Sequence, residues 1–127
     1  MTLRARDGRR ALGAEGEARA AAHLEQRGWR ILARNVRAGG VELDLVAEHR
    51  GLIAFIEVKT RRTRLHGLPE EAVDAHKRAR LVRGAAAWLA ERRLRSRGIR
   101  FDVICCEHRS DGVWQLRHLE RAFDAGD

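Results

Sequence analysis

Apolar and polar positions along the chain follow two different periods, which predict two helices and five strands. A helix is expected over residues 9–27, because this alanine-rich segment has small and apolar residues at helical spacing and Gly28 follows as a stop signal. A second helix is expected from Pro69 to about Arg95. Strands are expected over residues 29–36, 41–48, 52–59, 99–107 and 113–119, with a short amphipathic end around ERAFD. This order predicts an α/β fold with a central mixed sheet of about five strands flanked by helices.

The second predicted strand, VELDLVAE, alternates apolar and mostly acidic residues, which is typical of a strand with two different faces. Side chains alternate across a strand, so Glu42 and Asp44 are expected on one face. The apolar residues are expected on the opposite face: Val41, Leu43 and Leu45. With the following run, LIAFIEVK, this strand is predicted to form a hairpin.

The register of that hairpin predicts an acidic pair. If the turn centres near residues 50 and 51, Asp44 faces Glu57 and Glu42 faces Lys59. Directly opposed carboxylates destabilise a sheet by up to about 1 kcal/mol at an exposed site. A positive charge is therefore expected between them, either the ammonium of Lys59 or a hard divalent cation such as Mg²⁺.

Carboxylates, a lysine and abundant arginine suit phosphodiester hydrolysis, in which a metal polarises the phosphoryl oxygen and lysine orients the attacking water. The alternative is a solvated strand face with ordinary ion pairs, and the spacing alone does not decide between them. Glu17 shares the small and apolar face of the first helix, so its side chain is expected to point toward the sheet. There it is either a third acidic group of the site or a solvated helix glutamate.

Composition bounds the class of protein. The 127 residues predict one domain, residues 9–127, after a basic N-terminal tail, residues 1–8. No apolar run is long enough for a transmembrane helix and the N-terminus lacks a secretion signal, so a soluble cytoplasmic protein is expected. The adjacent Cys105 and Cys106 are expected to be buried thiols, and no histidine spacing indicates a zinc site.

The net charge of +8, with a pI near 11.2, favours a polyanionic partner, and nucleic acid is the usual one. An arginine-rich coding bias is the alternative explanation. Only two of the 26 basic residues are lysines, Lys59 and Lys77, which indicates that Lys59 was selected for a compact, tunable charge. The residues expected to contact nucleic acid are Arg61, Arg62, Arg64, His66 and Lys77, whereas Arg78, Arg80 and Arg83 are expected on a solvated face.

Asp44 and the EVK of residues 57–59 resemble the PD-(D/E)xK signature of restriction-endonuclease-like nucleases, although no proline precedes Asp44. A longer pattern is more specific. Its segments are GAEGEARAAAHLEQRGW, ARNVR, ELDLV, FIEVKTRR, HGLPEEAV, RFDVI and HLERAF. Their order and spacing over about residues 10–124 resemble the YraN-like bacterial family. That family is regarded as restriction-endonuclease-like in fold and similar to archaeal Holliday-junction resolvases.

The resemblance implies a nuclease site built from Glu17, Asp44, Glu57 and Lys59. Mg²⁺ or Mn²⁺ would be held by Asp44, Glu57 and the backbone carbonyl of Val58, with Glu17 assisting, while Lys59 would position water. Val41 replaces the family's glycine before Glu42, so the direction of Glu42 is left open.

The expected function is a metal-dependent DNA endonuclease, with branched or junction DNA as the substrate suggested by analogy. A homodimer is the candidate assembly. The rival hypothesis is a non-catalytic nucleic-acid-binding protein or an adaptor in DNA repair, recombination or uptake, because a shared fold does not establish activity.

Overall fold

The computed structural model describes residues 3–63 and 74–125 of the chain. Its elements, in the predicted order, are α1 (Leu3–Gln26), β1 (Arg30–Ala38), β2 (Val41–His49), β3 (Leu52–Thr63), α2 (Ala75–Arg92), β4 (Gly98–Arg109) and β5 (Trp114–Phe123). The predicted α/β fold, with a mixed sheet of five strands flanked by two helices, is confirmed.

The strands lie side by side in the order of the sequence, from β1 to β5. Neighbouring strands are antiparallel except β3 and β4, which pair in parallel from Leu52↔Gly98 to Thr63↔Arg109. A parallel pair needs a long crossover connection, and α2 lies within that connection. The sheet is therefore mixed because of this single crossover.

Each face of the sheet is covered by one helix, which explains why β3 is apolar at successive positions. The helix α1 contributes three fully buried residues to one core, namely Ala20, Ala21 and Leu24. The helix α2 contributes Leu81, Ala85 and Trp88 to the other. Between them, Phe55 of β3 faces α2 and Ile56 faces α1. A strand buried on both faces gains from apolar residues at every position.

Both helices begin at residues that differ from the predicted ones. The helix α1 begins at Leu3, so part of the segment 1–8 expected to be a tail is helical. The helix α2 begins at Ala75, because Asp74 has an extended backbone and its side chain caps the first turn by accepting a 2.8 Å hydrogen bond from a backbone N–H. Pro69, the predicted start, lies outside the described residues. Within those residues, neither helix combines the length and apolarity that crossing a membrane requires.

The strands β3 and β5 extend furthest past their predicted ends, because tertiary pairing continues beyond the apolar pattern. The parallel ladder holds β3 in register with β4 as far as Thr63, so the first residues of the predicted basic loop belong to the strand. The strand β5 continues to Phe123, which pairs with Phe101 and stacks on its ring with centroids 4.9 Å apart. The prediction of a separate amphipathic end around ERAFD was therefore wrong.

Candidate active site

Asp44 and Glu57 lie just past the end of the β2–β3 ladder. The ladder runs from His49↔Leu52 to Leu45↔Ile56, which confirms the predicted register along its length. Past the last pair, the backbone N–H of Val58 donates a 2.9 Å hydrogen bond to Oδ2 of Asp44. The end of the ladder thus fixes the Asp44 carboxylate beside the Glu57–Val58 segment.

The faces of β2 change at Asp44, which the sequence pattern did not predict. Leu43 packs in the core beneath α2, whereas Leu45 packs in the core beneath α1, so the expectation that both lie on one face was wrong. On the neighbouring strand, Asn35 lies between the pairs Arg34↔Leu45 and Val36↔Leu43 and has a left-handed φ of 49°. A left-handed residue within a strand turns the backbone and interrupts the regular alternation of side chains. Asp44 therefore lies at a local twist of the β1–β2 ribbon.

The Asp44 carboxyl is surrounded by negative charge. Its pKa is raised from 3.8 to about 7, and the largest cause is burial, followed by the charge of Glu57. The hydrogen bond from Val58 lowers the pKa, whereas the charges of Glu17 and Glu42 raise it further. Ionised Asp44 is therefore costly near neutral pH. Such a cluster of carboxylates favours the binding of a cation.

Glu57 is buried, with 8% of its surface exposed, and it lies opposite the first turn of α2. Its Oε1 forms an ion pair with Nζ of Lys77 at 2.5 Å. The backbone N–H of Lys77 is in turn bound by the capping side chain of Asp74. Lys59, two residues further along β3, shares the face of Glu57 because side chains alternate along a strand.

Two adjoining cavities open onto these residues. One, of about 480 Å³, lies between β2, β3 and α2 and is lined by both carboxylates, Asp44 and Glu57. The other, of about 400 Å³, is lined by Glu57, Lys59 and Arg61. Lys77 lines both cavities. Glu57 and Lys77 together therefore form the boundary between an acidic and a basic compartment.

The donor set at Asp44 and Glu57 fits a cation that takes most of its ligands from water. Among the described residues, no group of three or more His, Cys, Asp or Glu side chains could enclose a metal ion. Two carboxylates near the backbone carbonyl of Val58 match the requirements of Mg²⁺ or Mn²⁺, which use one or two protein carboxylates and keep several waters. They do not match a closed site for zinc.

The structure brings the four residues expected at the nuclease site to one end of β2 and β3. Glu17 of α1 is partly buried and close enough to raise the pKa of Asp44. Among the residues expected to contact nucleic acid, Arg61 lines the cavity of Lys59, whereas Arg62 is exposed and alternates to the opposite face. Arg64 and His66 lie outside the described residues.

Gly16 is a positioning residue that sequence reasoning missed. A Cβ atom at this position would overlap Oγ1 of Thr60 and lie 2.7 Å from its Cγ2. Because position 16 has no side chain, α1 packs directly on β3 and carries Glu17 toward the acidic end of the sheet. A glycine inside an alanine-rich helix was the available signal, because it costs helix stability unless close packing requires it.

A second buried carboxylate, Asp102, has the opposite environment and a structural role. It is 1% exposed and accepts hydrogen bonds from Nη2 of Arg100 at 2.9 Å and the backbone N–H of Arg121 at 3.1 Å, and Nε2 of His118 lies 2.7 Å away. Burial alone would raise its pKa, but the hydrogen bonds with His118, Arg121 and Arg100 and the Arg100 charge outweigh burial and lower it. These contacts hold the irregular pairing of β4 with β5 between Phe101 and Val103.

The comparison with known proteins identifies the family. The model of the uncharacterised protein family UPF0102 matches residues 16–106, a range that includes Glu17, Asp44, Glu57 and both lysines. A UPF0102 protein of Syntrophotalea carbinolica is 47% identical over 116 residues, covering 91% of this chain and 94% of the relative. The UPF0102 protein of Trichlorobacter lovleyi is 44% identical over 118 residues, covering 92% of this chain and 93% of the relative. That of Geobacter sulfurreducens is 40% identical over 113 residues, covering 89% of this chain and 88% of the relative.

Neither the family description nor the names of these relatives state an activity. The matches do confirm the resemblance to the YraN-like family that the sequence motifs indicated. The chain therefore belongs to the uncharacterised protein family UPF0102.

Proposed function

We propose that the protein is a metal-dependent endonuclease that hydrolyses phosphodiester bonds in DNA, with branched and junction DNA as the first substrates to test. The observation that carries the proposal is the carboxylate pair of Asp44 and Glu57 at the end of a ladder, with Lys59 on the same strand face. A partly buried acidic group whose pKa is raised to about 7, in a cavity that lysine and arginine also line, is typical of a catalytic site.

In this proposal the carboxylates of Asp44 and Glu57 and the carbonyl of Val58 would hold Mg²⁺ or Mn²⁺. The cation supplies a Lewis acid for the phosphoryl oxygen. The hydrogen bond from the Val58 N–H fixes one oxygen of Asp44 and leaves its other oxygen available to a ligand. The protein thereby orients Asp44 before any ligand binds.

Lys59 and Glu17 would act around this pair. The ammonium of Lys59 donates hydrogen bonds, so it can orient the attacking water and stabilise the negative charge that develops on the phosphate. Glu17 approaches from α1 and offers a third carboxylate, which can accept hydrogen bonds from water near the cation. Arg61 lines the cavity of Lys59 and is placed to meet a phosphate of the DNA backbone.

Cleavage assays with purified protein test the proposal. Single-stranded, duplex, flap and four-way junction DNA are incubated with Mg²⁺ or Mn²⁺. We expect Asp44→Asn, Glu57→Gln and Lys59→Gln each to reduce cleavage by about 100-fold or more, because each removes several kcal/mol of transition-state stabilisation. Glu48→Gln is the matched control, since Glu48 lies on β2, lines neither cavity and forms an exposed ion pair with Arg30.

The absence of cleavage on every substrate with either metal would reject the enzymatic function. The rival function, binding of nucleic acid without hydrolysis, is favoured by the net charge of +8. It predicts salt-sensitive DNA binding that Glu57→Gln leaves intact, with no cleavage by wild type. The two hypotheses therefore differ in wild-type cleavage and agree on binding.

A further inference from the structure

Both lysines of the chain, Lys59 and Lys77, line the same cavity as Glu57. They come from different elements, β3 and α2. The chain has 26 lysines and arginines in total, so the other 24 are all arginines. Arginine therefore occupies nearly every position where any cation serves. The use of lysine at both positions beside one carboxylate indicates a need for a compact ammonium that can be displaced.

The ion pair between Lys77 and Glu57 is asymmetric in its exposure. The Glu57 side chain is 10% exposed, so its carboxylate needs a cationic partner to offset the loss of water. The Lys77 side chain is 43% exposed, so its ammonium can return to solvent at little cost. Glu57 is thus fixed in the structure, whereas the partner that neutralises it can be exchanged.

We propose that Lys77 is an exchangeable counter-ion, which holds Glu57 in the metal-free protein and competes with a divalent cation for its carboxylate. This inference rests on the proposed metal site at Asp44 and Glu57. Asp74 supports the arrangement, because it caps α2 and fixes the backbone of Lys77 opposite Glu57. Arginine at this position would bind the carboxylate through two parallel hydrogen bonds and would be harder to displace.

Displacement of Lys77 would also place its ammonium where substrate arrives. Lys77 lines the cavity that contains Lys59 and Arg61, so the released ammonium adds positive charge to the compartment that a phosphate would enter. Binding of the cation at Glu57 and exposure of Lys77 to phosphate would thereby be coupled. Lys77 is a positioning residue in this scheme, since it acts through Glu57.

Calorimetric titration with Mn²⁺ and no DNA measures the competition without reference to cleavage. We expect Lys77→Gln to tighten Mn²⁺ binding about five-fold, because loss of an exposed ion pair changes an equilibrium by that order. Lys77→Arg should weaken binding. Arg80→Gln is the matched control, because Arg80 lines the acidic cavity from the same helix. Its removal takes away nearby positive charge but leaves the ion pair of Lys77 with Glu57 intact. We expect Arg80→Gln to change Mn²⁺ affinity by less than two-fold. Circular dichroism confirms that each variant is folded.

Lysine-selective ¹³C labelling gives a second measurement, since the chain contributes only two lysine spin systems. The Lys77 side-chain signal is the one that disappears in Lys77→Gln. We expect Mg²⁺ to shift this signal in the wild-type protein with the same midpoint as Mg²⁺ binding, and to leave it unchanged in Glu57→Gln.

Three outcomes would overturn the inference: equal tightening in Lys77→Gln and Arg80→Gln, weaker Mn²⁺ binding in Lys77→Gln, or a Lys77 signal that ignores Mg²⁺ while the wild-type protein binds it. These failures leave the proposed nuclease intact, because wild-type cleavage is measured separately. Absence of Mn²⁺ binding in both the wild-type protein and Lys77→Gln would overturn the inference together with the proposed metal site.

Discussion

At the scale of single residues, partly buried Asp44 and fully buried Asp102 show how the surroundings of a carboxyl group set the direction of its pKa shift. Asp102 is surrounded by donors and its pKa is lowered, so its ionised form stabilises the fold. Asp44 is surrounded by other carboxylates and its pKa is raised to about 7, so its ionised form destabilises the fold near neutral pH. A group that costs stability when ionised is expected where function requires that charge.

Asp44→Asn should therefore gain stability relative to wild type as the pH rises. The pKa of Asp44 is about 7 in the folded chain and near 3.8 in the unfolded chain. The stability that its protonated carboxyl contributes is therefore fully present below pH 3.8 and is lost as the pH rises through 7. Asparagine cannot ionise. We expect the free energy of unfolding of Asp44→Asn minus that of wild type to increase by about 1–3 kcal/mol between pH 5 and pH 8. Urea denaturation without divalent cations measures this difference.

Asp102→Asn is the control with the opposite sign. Its lowered pKa means that ionised Asp102 contributes stability above the unfolded value of 3.8, and that this stability is lost only as the pH falls through the lower folded value. Asp102→Asn should thus be destabilised by about 2–4 kcal/mol at both pH 5 and pH 8, whereas Asp44→Asn gains stability relative to wild type over this range. A constant difference for Asp44→Asn between these pH values would contradict the electrostatic description of the site.

The residues of the acidic pair could be found from the sequence, but their counter-ion could not. Strand periodicity and hairpin register relate Asp44 to Glu57, because both depend on local chain geometry. The pairing of Lys77 with Glu57 depends on how α2 packs across the sheet, which no local pattern specifies. The sequence prediction put Leu45 on the wrong face of β2 for a similar reason. The alternation of side chains along β2 is interrupted beside Asn35, which belongs to the neighbouring strand.

At the scale of elements, the contact of α1 with β3 places Glu17 beside the sheet. Gly16 provides this contact, because its missing side chain leaves room for Thr60, and its carbonyl accepts a hydrogen bond from Sγ of Cys106 at 3.4 Å. The sequence predicted α1 and the small face it presents, including Ala20. It did not predict the distance between helix and sheet, because that distance depends on the pairing of a glycine with one particular β-branched residue on another element.

Gly16→Ala should push α1 away from β3. The added Cβ would overlap the Thr60 side chain, and such overpacking typically costs about 1–3 kcal/mol of unfolding free energy. Gly13→Ala is the matched control on the same helix, because a Cβ at Gly13 meets no atom within 4 Å. It should stabilise the protein by about 0.5–1 kcal/mol through helix propensity. Thermal and urea denaturation of both variants measure the two effects.

A second substitution tests the assigned cause. Thr60→Ala removes the Oγ1 and Cγ2 atoms that the new side chain would meet but leaves the Thr60 Cβ position, which is 2.9 Å away. Gly16→Ala should therefore cost less unfolding free energy in the Thr60→Ala background than it costs in the wild-type protein. If Gly16→Ala costs the same free energy in both backgrounds, overlap with the Thr60 side chain is not the cause of the destabilisation.

At the scale of the whole molecule, the sheet separates two neighbouring arginines, Arg61 and Arg62. Consecutive residues of β3 alternate between its faces, so Arg61 lies with Glu57 and Lys59, whereas Arg62 is exposed on the other face. The net charge of +8 indicated a polyanionic partner without indicating a surface. Composition could not separate the two arginines, because the sequence showed them only as neighbours in a basic run. The extension of β3 to Thr63 assigns them to different faces.

This division predicts unequal roles for the two arginines in DNA binding by the proposed nuclease. If the DNA backbone crosses the cavity of Glu57 and Lys59, Arg61→Gln removes a phosphate contact. It should weaken binding several-fold and reduce the slope of log K against log salt by about 1. Arg62→Gln removes the same charge one residue away, on the opposite face, and should change both quantities little. Fluorescence anisotropy with junction and duplex DNA from 50 to about 200 mM salt measures both variants. Equal losses would mean that DNA binding depends on net charge alone and does not cross the acidic site.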